Sequence, residues 1–207
     1  MRIFILSAVL CLFSAAALAE DTFNEGEHYE RIKPEVAAHV EAGQVEVVEV
    51  FWYGCHHCFA FEPYISKWVK SKPDNVVFRR VPGVFSRGWV PHARAYYTAE
   101  VLGVLDTIHT PLFEAIHDDR RKIGDEDSLA RFFAEYGVSE ADFREAYNSF
   151  SVDAKTRQAM TLSKEYGITG VPSMIVNGRY RTSARLTGTY ENLLKVVDEL
   201  VDKESSE

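Results

Sequence analysis

Val45-Glu46-Val47-Val48-Glu49-Val50-Phe51-Trp52-Tyr53-Gly54-Cys55-His56-His57-Cys58 carries a strand-like apolar run straight into two cysteines separated by two residues. From Cys55 to about Lys70 the chain is apolar and aromatic, with Cys58, Phe61, Ile65, Trp68 and Val69 at the i, i+3 and i+4 spacings of one helix face. Pro63 lies inside that segment and is expected to kink it, because proline removes a backbone donor. A second strand is expected over residues 76–81, after the turn Lys72-Pro73-Asp74-Asn75. Strand, helix and strand in that order make a βαβ unit, the opening of an α/β sheet.

Before this unit the chain reads as a loop through Pro34. Beyond Pro82 helices are expected over residues 91–102, 110–117, 128–136 and 140–148, with Gly103, Gly124 and Gly137 near their ends and Ser128 and Ser139 as N-caps. A longer helix over residues 152–166 stops at Gly167. Strands at 173–176 and 180–183 flank Asn177-Gly178, the strongest short hairpin signal in the chain. The last helix spans residues 190–203, with Leu193, Leu194, Val197, Leu200 and Val201 on its apolar stripe.

Cysteine usage narrows the chemistry. The chain has three cysteines, and Cys11 falls in a segment with the marks of an export signal. Met1-Arg2 is a short positive start, residues 3–13 are almost unbroken apolar, and Ala17-Leu18-Ala19 has the small-x-small form of a cleavage site. Cleavage after Ala19 is expected, and the apolar run falls short of the roughly 20 residues that a membrane span needs. Ala8-Val9-Leu10 argues against lipid attachment at Cys11, since leucine stands where a small residue would be wanted. Removing residues 1–19 takes Arg2 from the 23 basic side chains and leaves 22 against 31 acidic, a formal charge of −9. That surface gives nucleic-acid binding no footprint.

An exported chain with a single cysteine pair so closely spaced gains little from it as a staple, because a very short loop restrains little unfolded-chain entropy. Redox chemistry is the better reading of Cys55 and Cys58. With Cys55 at a helix start, unpaired N–H groups and the helix dipole favour its thiolate, and His57, with His56 beside it, adds to the effect. A stabilised thiolate stabilises the dithiol and makes the disulfide the stronger oxidant. Cys58, one turn in, is the expected resolving thiol. The alternatives are an inert bridge or a metal site, but neighbouring residues at a helix start cannot all point at one ion.

Glu49 alternates onto the face of Val45, Val47 and Phe51, where burial would raise its pKa and let it accept a proton near Cys58; Glu46 is expected to be an exposed strand residue. Gly170-Val171-Pro172-Ser173-Met174 opens the strand at 173–176, and proline there is ordinarily trans.

Phe51-Trp52-Tyr53-Gly54-Cys55-His56-His57-Cys58, Phe59-Ala60-Phe61-Glu62-Pro63, Pro111-Leu112-Phe113-Glu114-Ala115-Ile116, Tyr147-Asn148-Ser149-Phe150, Gly170-Val171-Pro172 and Val176-Asn177-Gly178-Arg179-Tyr180 together resemble the DsbA family of thioredoxin-fold disulfide oxidases. The resemblance implies an α/β thioredoxin fold, a central mixed sheet flanked by helices, formed by residues 20–82 and 151–207 and interrupted by a helical domain at 83–150. It implies a redox-active disulfide Cys55–Cys58 beside a cis Val171-Pro172 bond, with Val171 and Pro172 meeting an extended substrate through backbone hydrogen bonds. Glu49 takes the place of the family's buried acidic residue. His56 stands where the family's usual motif has proline, while His57 matches.

The activity implied is oxidation of reduced exported polypeptides in the periplasm, with no bound organic cofactor, followed by reoxidation through a quinone-linked inner-membrane partner of the DsbB type. A monomer is expected. The alternatives are a periplasmic reductase or isomerase, the latter disfavoured by the short stretch before Val45, and a non-catalytic metal-binding module.

Overall fold

In the computed structural model, which describes residues 23–206, Val45–Phe51 forms a seven-residue strand, β2, buried at every position. The expected signal segment, Cys11 and the cleavage point after Ala19 lie outside the described residues. The sheet holds five strands in the order β1-β5-β4-β2-β3, where β1 is Glu30–Arg31, β3 Val76–Pro82, β4 Ser173–Val176 and β5 Tyr180–Thr182. Only β2 and β3 run parallel, as the βαβ reading requires; β4 meets β2 antiparallel, pairing Val50 with Ser173, and the outer pairs are antiparallel too.

The crossover from β2 to β3 is helix α1, His56–Ser71, with Cys55 as its N-cap; it runs unbroken through Pro63, so the expected kink does not interrupt it. Helices α2 to α5 follow: Val90–Val101, Leu105–His117, Glu126–Glu135 and Glu140–Tyr147. Then come α6, Phe150–Glu165, the short α7, Ala184–Thr187, and α8, Tyr190–Ser205.

One side of the sheet is covered by α1 and α8, where Phe61, Ile65, Trp68, Leu193, Val197 and Leu200 pack on Val45, Val47, Met174 and Val176. On the other side Val48, Val50 and Ile175 join a single core with residues of α2 to α6, among them Ala95, Phe113, Phe133 and Val152. The helical segment therefore shares its core with the sheet. A central strand covered on both faces has no solvent side, and polar residues on it must be paired. Glu46, expected to be exposed, is 1% exposed, and Arg79 of the neighbouring strand donates to it at 2.7 Å. Alternation is a poor guide to exposure here.

Two further expectations are corrected. The opening before Pro34 contains β1, which pairs with β5, and the Lys33-Pro34 bond is cis. Asp125, not Ser128, caps α4; Ser128 is the third helical residue and its Oγ accepts the Asp125 N–H at 3.2 Å, a reciprocal capping box. Helix α7 carries no signal strong enough to stand out in four residues. The Asn177-Gly178 turn forms as expected, with φ of 51° and 65° and the Arg179 N–H bonded to the Val176 carbonyl at 3.0 Å. Any Cβ on Gly178 would run into the backbone carbonyl of Val36, which fixes glycine there for two reasons at once. No described helix is long and apolar enough to cross a membrane.

Candidate active site

The end of β2 and the start of α1 are joined by four residues, Trp52 to Cys55, and the Cys55 N–H closes the turn on the Trp52 carbonyl at 2.9 Å. Gly54 lies under the Trp52 ring, where a Cβ would collide. The turn delivers Cys55 to the N-cap position, its sulfur accepting the Cys58 N–H at 3.4 Å. Cys55 is partly buried and Cys58 wholly so, and both are free thiols. Only one sulfur is open to a partner.

Across from it runs the loop into β4. Val171-Pro172 is cis, and the Cys55 thiol donates to the Val171 carbonyl at 3.4 Å. Residues 55 and 171 are brought together because β2 and β4 are neighbours in the sheet. A cleft of ≈ 930 Å³ opens beside them, lined by His57, Val171, Pro172, Ser173, Thr189 and Tyr190 among others. The structure thus places His57, Val171 and Pro172 in one cleft. His57 is exposed, and its carbonyl accepts the Tyr190 hydroxyl at 3.0 Å. His56 is exposed as well but lies toward α3, its ring 5.9 Å from that of His117. His117 is itself held, stacked on Phe59 at 5.0 Å and bonded to the Tyr53 carbonyl at 2.8 Å.

The electrostatics separate the two sulfurs. Cys55 is lowered to about 6: the Cys58 thiol bonding to its sulfur is the largest cause, burial opposes it, and the N–H groups of Cys58 and His57 and the His57 charge act in the same direction as Cys58. Cys58 is pushed up, chiefly by burial and then by Cys55, with the Glu49 charge adding to it. The largest influence on Cys55 is therefore its own partner, ahead of the helix start and His57 on which the sequence reading leaned. Glu49 is wholly buried and raised to about 7, because burial outweighs the Arg80 guanidinium 2.9 Å away and Glu62 adds a like charge.

The sequence reading missed Glu62, Arg80, His109 and Tyr53. Arg80 reaches both oxygens of Glu62 at 3.4 Å, His109 meets Glu62 at 3.2 Å, and the Tyr53 hydroxyl meets His109 at 2.9 Å. Glu62 had one usable signal: it falls four residues after Cys58, on the same buried stripe. Among the described residues no three His, Cys, Asp or Glu side chains are grouped to hold a metal ion.

The lowered Cys55 makes the dithiol form's stability depend on pH. Its folded pKa, about 6, lies below the ordinary value of 9.0, so the stabilisation is complete above the latter and lost as pH falls through the former. For a half-buried group this amounts to something on the order of 2 kcal/mol once solvent screening is allowed for. The thiolate absorbance should titrate near pH 6, and the advantage of dithiol over disulfide form in urea should shrink from about pH 8 to about pH 5. An advantage independent of pH would contradict the assignment.

A family model described as a DSBA-like thioredoxin domain matches residues 80–194. The thiol:disulfide interchange protein DsbA of Pseudomonas syringae pv. tomato is 41% identical over 207 residues, which takes in 99% of this chain and 96% of that protein. Its namesake from Azotobacter vinelandii is 40% identical over 212 residues, covering 100% of this chain and 99% of the relative. The crystal structure of Pseudomonas aeruginosa DsbA superposes with a TM-score of 0.85 at 39% identity, over 90% of this chain and 96% of that one. The oxidoreductase DsbA from Xylella fastidiosa gives 0.83 at 36%, over 89% and 98%. The dithiol segment precedes the span of the family model but falls within the nearly complete alignments to these relatives.

Proposed function

Because the chain belongs to the DsbA family, we propose that it is a thiol:disulfide oxidoreductase that donates a Cys55–Cys58 disulfide to exported polypeptides during their oxidative folding. The observation that carries this reading is the asymmetry of the pair, one accessible sulfur with its pKa lowered to about 6 and one buried sulfur raised.

In the cycle a substrate thiolate attacks the Cys55 sulfur of the disulfide form, the S–S bond breaks, and Cys58 leaves as a thiolate that takes up a proton. A second substrate thiolate attacks the mixed disulfide at the substrate sulfur and expels Cys55. Two electrons pass from the substrate to the protein, which ends as a dithiol. Low basicity makes Cys55 a good leaving group in that second step. The His57 charge and N–H stabilise the same thiolate, and His56 sets its surroundings on the α3 side. Glu49 exchanges the Cys58 proton.

Val171 and Pro172 hold an extended substrate beside Cys55 by backbone hydrogen bonds. The Val171 carbonyl accepts the Cys55 thiol at 3.4 Å in the dithiol. In the disulfide Cys55 has no hydrogen to give, and the carbonyl is open to a substrate N–H. Reoxidation falls to a quinone-linked inner-membrane partner of the DsbB type, which meets the same cleft. The chain acts in the periplasm after removal of residues 1–19, as a monomer, with residues 83–150 inserted between the two parts of the thioredoxin-like domain.

Equilibration with glutathione tests the reading. The dithiol should persist at ratios of reduced to oxidised glutathione where a structural disulfide would already have formed, and the disulfide form should oxidise a reduced two-cysteine peptide. A pair as hard to reduce as a structural cystine would make the protein a reductase instead.

A further inference from the structure

Two buried carboxylates, Glu49 and Glu62, share one guanidinium, Arg80. Two like charges held that way around a single cation favour keeping one proton between them. The donors around each carboxylate decide where it rests. Glu62 has three: His109 Nε2 at 3.2 Å on one oxygen, Ser66 Oγ at 3.4 Å on the other, and Arg80 Nη2 at 3.4 Å from both. Glu49 receives one, Arg80 Nε at 2.9 Å on Oε2, while its buried Oε1 has no partner in the protein. An anionic oxygen without a donor costs far more in the interior than the oxygen of a neutral carboxyl group does.

The His109 bond depends on a tautomer, and Tyr53 sets it. The Tyr53 hydroxyl is buried and keeps its proton, its pKa pushed well up by burial; Nδ1 of His109 is 2.9 Å away, and we assign the hydroxyl as the donor to it. Nδ1 then accepts, and Nε2 carries the hydrogen that goes to Glu62. Burial also disfavours the imidazolium. The groups facing His109 are Tyr53, Glu62 on α1, Arg80 on β3, Tyr96 on α2 and Asp106 on its own helix. Those acting with Glu49 are Arg80, Glu62, Cys58, Tyr53 and Tyr96.

We propose that Tyr53 and His109 are positioning residues that hold Glu62 ionised, so that while Cys55 and Cys58 are bridged the proton shared by the two carboxylates rests on Glu49, the one that acts on Cys58. The inference deepens the proposed function and rests on its reading of Glu49. When the disulfide opens, the Glu49 O–H proton passes to the Cys58 sulfur and leaves a carboxylate; when the disulfide re-forms, Cys58 returns it. An arm from α3, in the helical segment, thus selects the proton donor for the resolving cysteine.

The carboxylic-acid C=O stretch in the infrared reads the proton directly. In the disulfide form of the wild-type chain, the form used for every variant below, the band should be removed by Glu49→Gln. In His109→Leu the proton should move to Glu62, so the band should survive Glu49→Gln and vanish with Glu62→Gln. His109→Gln, whose side-chain N–H still donates to Glu62, should restore the wild-type pattern. Single-turnover oxidation of a reduced peptide should slow by about tenfold in His109→Leu and by no more than about twofold in His109→Gln. A wild-type band that survives Glu49→Gln, or one in His109→Leu that does not, overturns the proposal, as does a failure of His109→Gln to restore the pattern. Should His109→Leu not fold, Glu62→Gln alone decides: loss of the Glu62 charge must make Glu49 ionise at lower pH, and an unmoved midpoint is fatal. A wild-type protein that shows the expected band yet oxidises no peptide sinks the functional reading alone.

Discussion

Replacing Cys55 by serine should reduce oxidation of cysteine peptides to the uncatalysed background, a fall of about three orders of magnitude or more, equivalent to ~4 kcal/mol of barrier. The size of the effect follows from access. Cys58 is wholly buried and its pKa is raised, so it can neither meet a substrate nor supply a thiolate in Cys55's place. A serine hydroxyl at 55 would keep the helix cap, because its oxygen can accept the Cys58 N–H as the sulfur does, and the fold should survive. Loss of activity in a folded variant therefore isolates the chemistry.

Cys58→Ser separates the two sulfurs further. Its Cys55 thiolate should still attack a disulfide peptide, but no second thiol follows to resolve the bond, and a mixed disulfide should accumulate as a mass adduct at Cys55. The Cys58 thiol is also the largest cause of the low Cys55 pKa, so thiolate formation in this variant should need higher pH unless the serine hydroxyl replaces that hydrogen bond. Full oxidising activity in Cys55→Ser, or adducts carried by Cys58 in the wild-type protein, would reverse the assignment.

What could be read in advance was whatever one segment of chain decides by itself. The run from Val45 to Phe51, the helix stripe from Cys58 to Trp68 and the Asn177-Gly178 turn are local patterns, and each forms where expected. The place of Cys55 at the helix start and of Cys58 one turn in was legible for the same reason. The cis bond at Pro172 was not, since proline there is compatible with either isomer; the family resemblance supplied it. Glu46 was misjudged because burial on the second face of β2 is imposed by helices far along the chain. The cluster under Cys58 was illegible for a sharper reason. Glu49, Glu62, Arg80 and His109 come from four different elements, and apart from Glu49, which alternation along β2 singled out, each looks like an ordinary polar residue until the fold brings their side chains within hydrogen-bond reach.

Arg80→Met should be the most destabilising single change in that cluster, costing about 3–5 kcal/mol near neutral pH, because it leaves two buried carboxylates with no cation between them. The methionine fills much of the same space, so the loss is one of charge and not of volume. Its pH dependence distinguishes this from a packing defect. An acid whose folded pKa is raised above its unfolded value is penalised only where the unfolded chain has already ionised, so the penalty is absent well below pH 4.5 and grows as pH rises. Wild-type Glu49, already raised to about 7, should climb further without Arg80, and Glu62 should lose one of the causes that keep it low. Urea denaturation should therefore show the gap between Arg80→Met and wild type widening from about pH 5 to about pH 8. Arg80→Lys, which keeps the charge but cannot reach Glu49 and Glu62 at once with a planar fork, should fall between the two. A gap that stays constant with pH would mean that the carboxylates are not the source of the cost, and the shared-guanidinium account of Glu49 and Glu62 would fall with it.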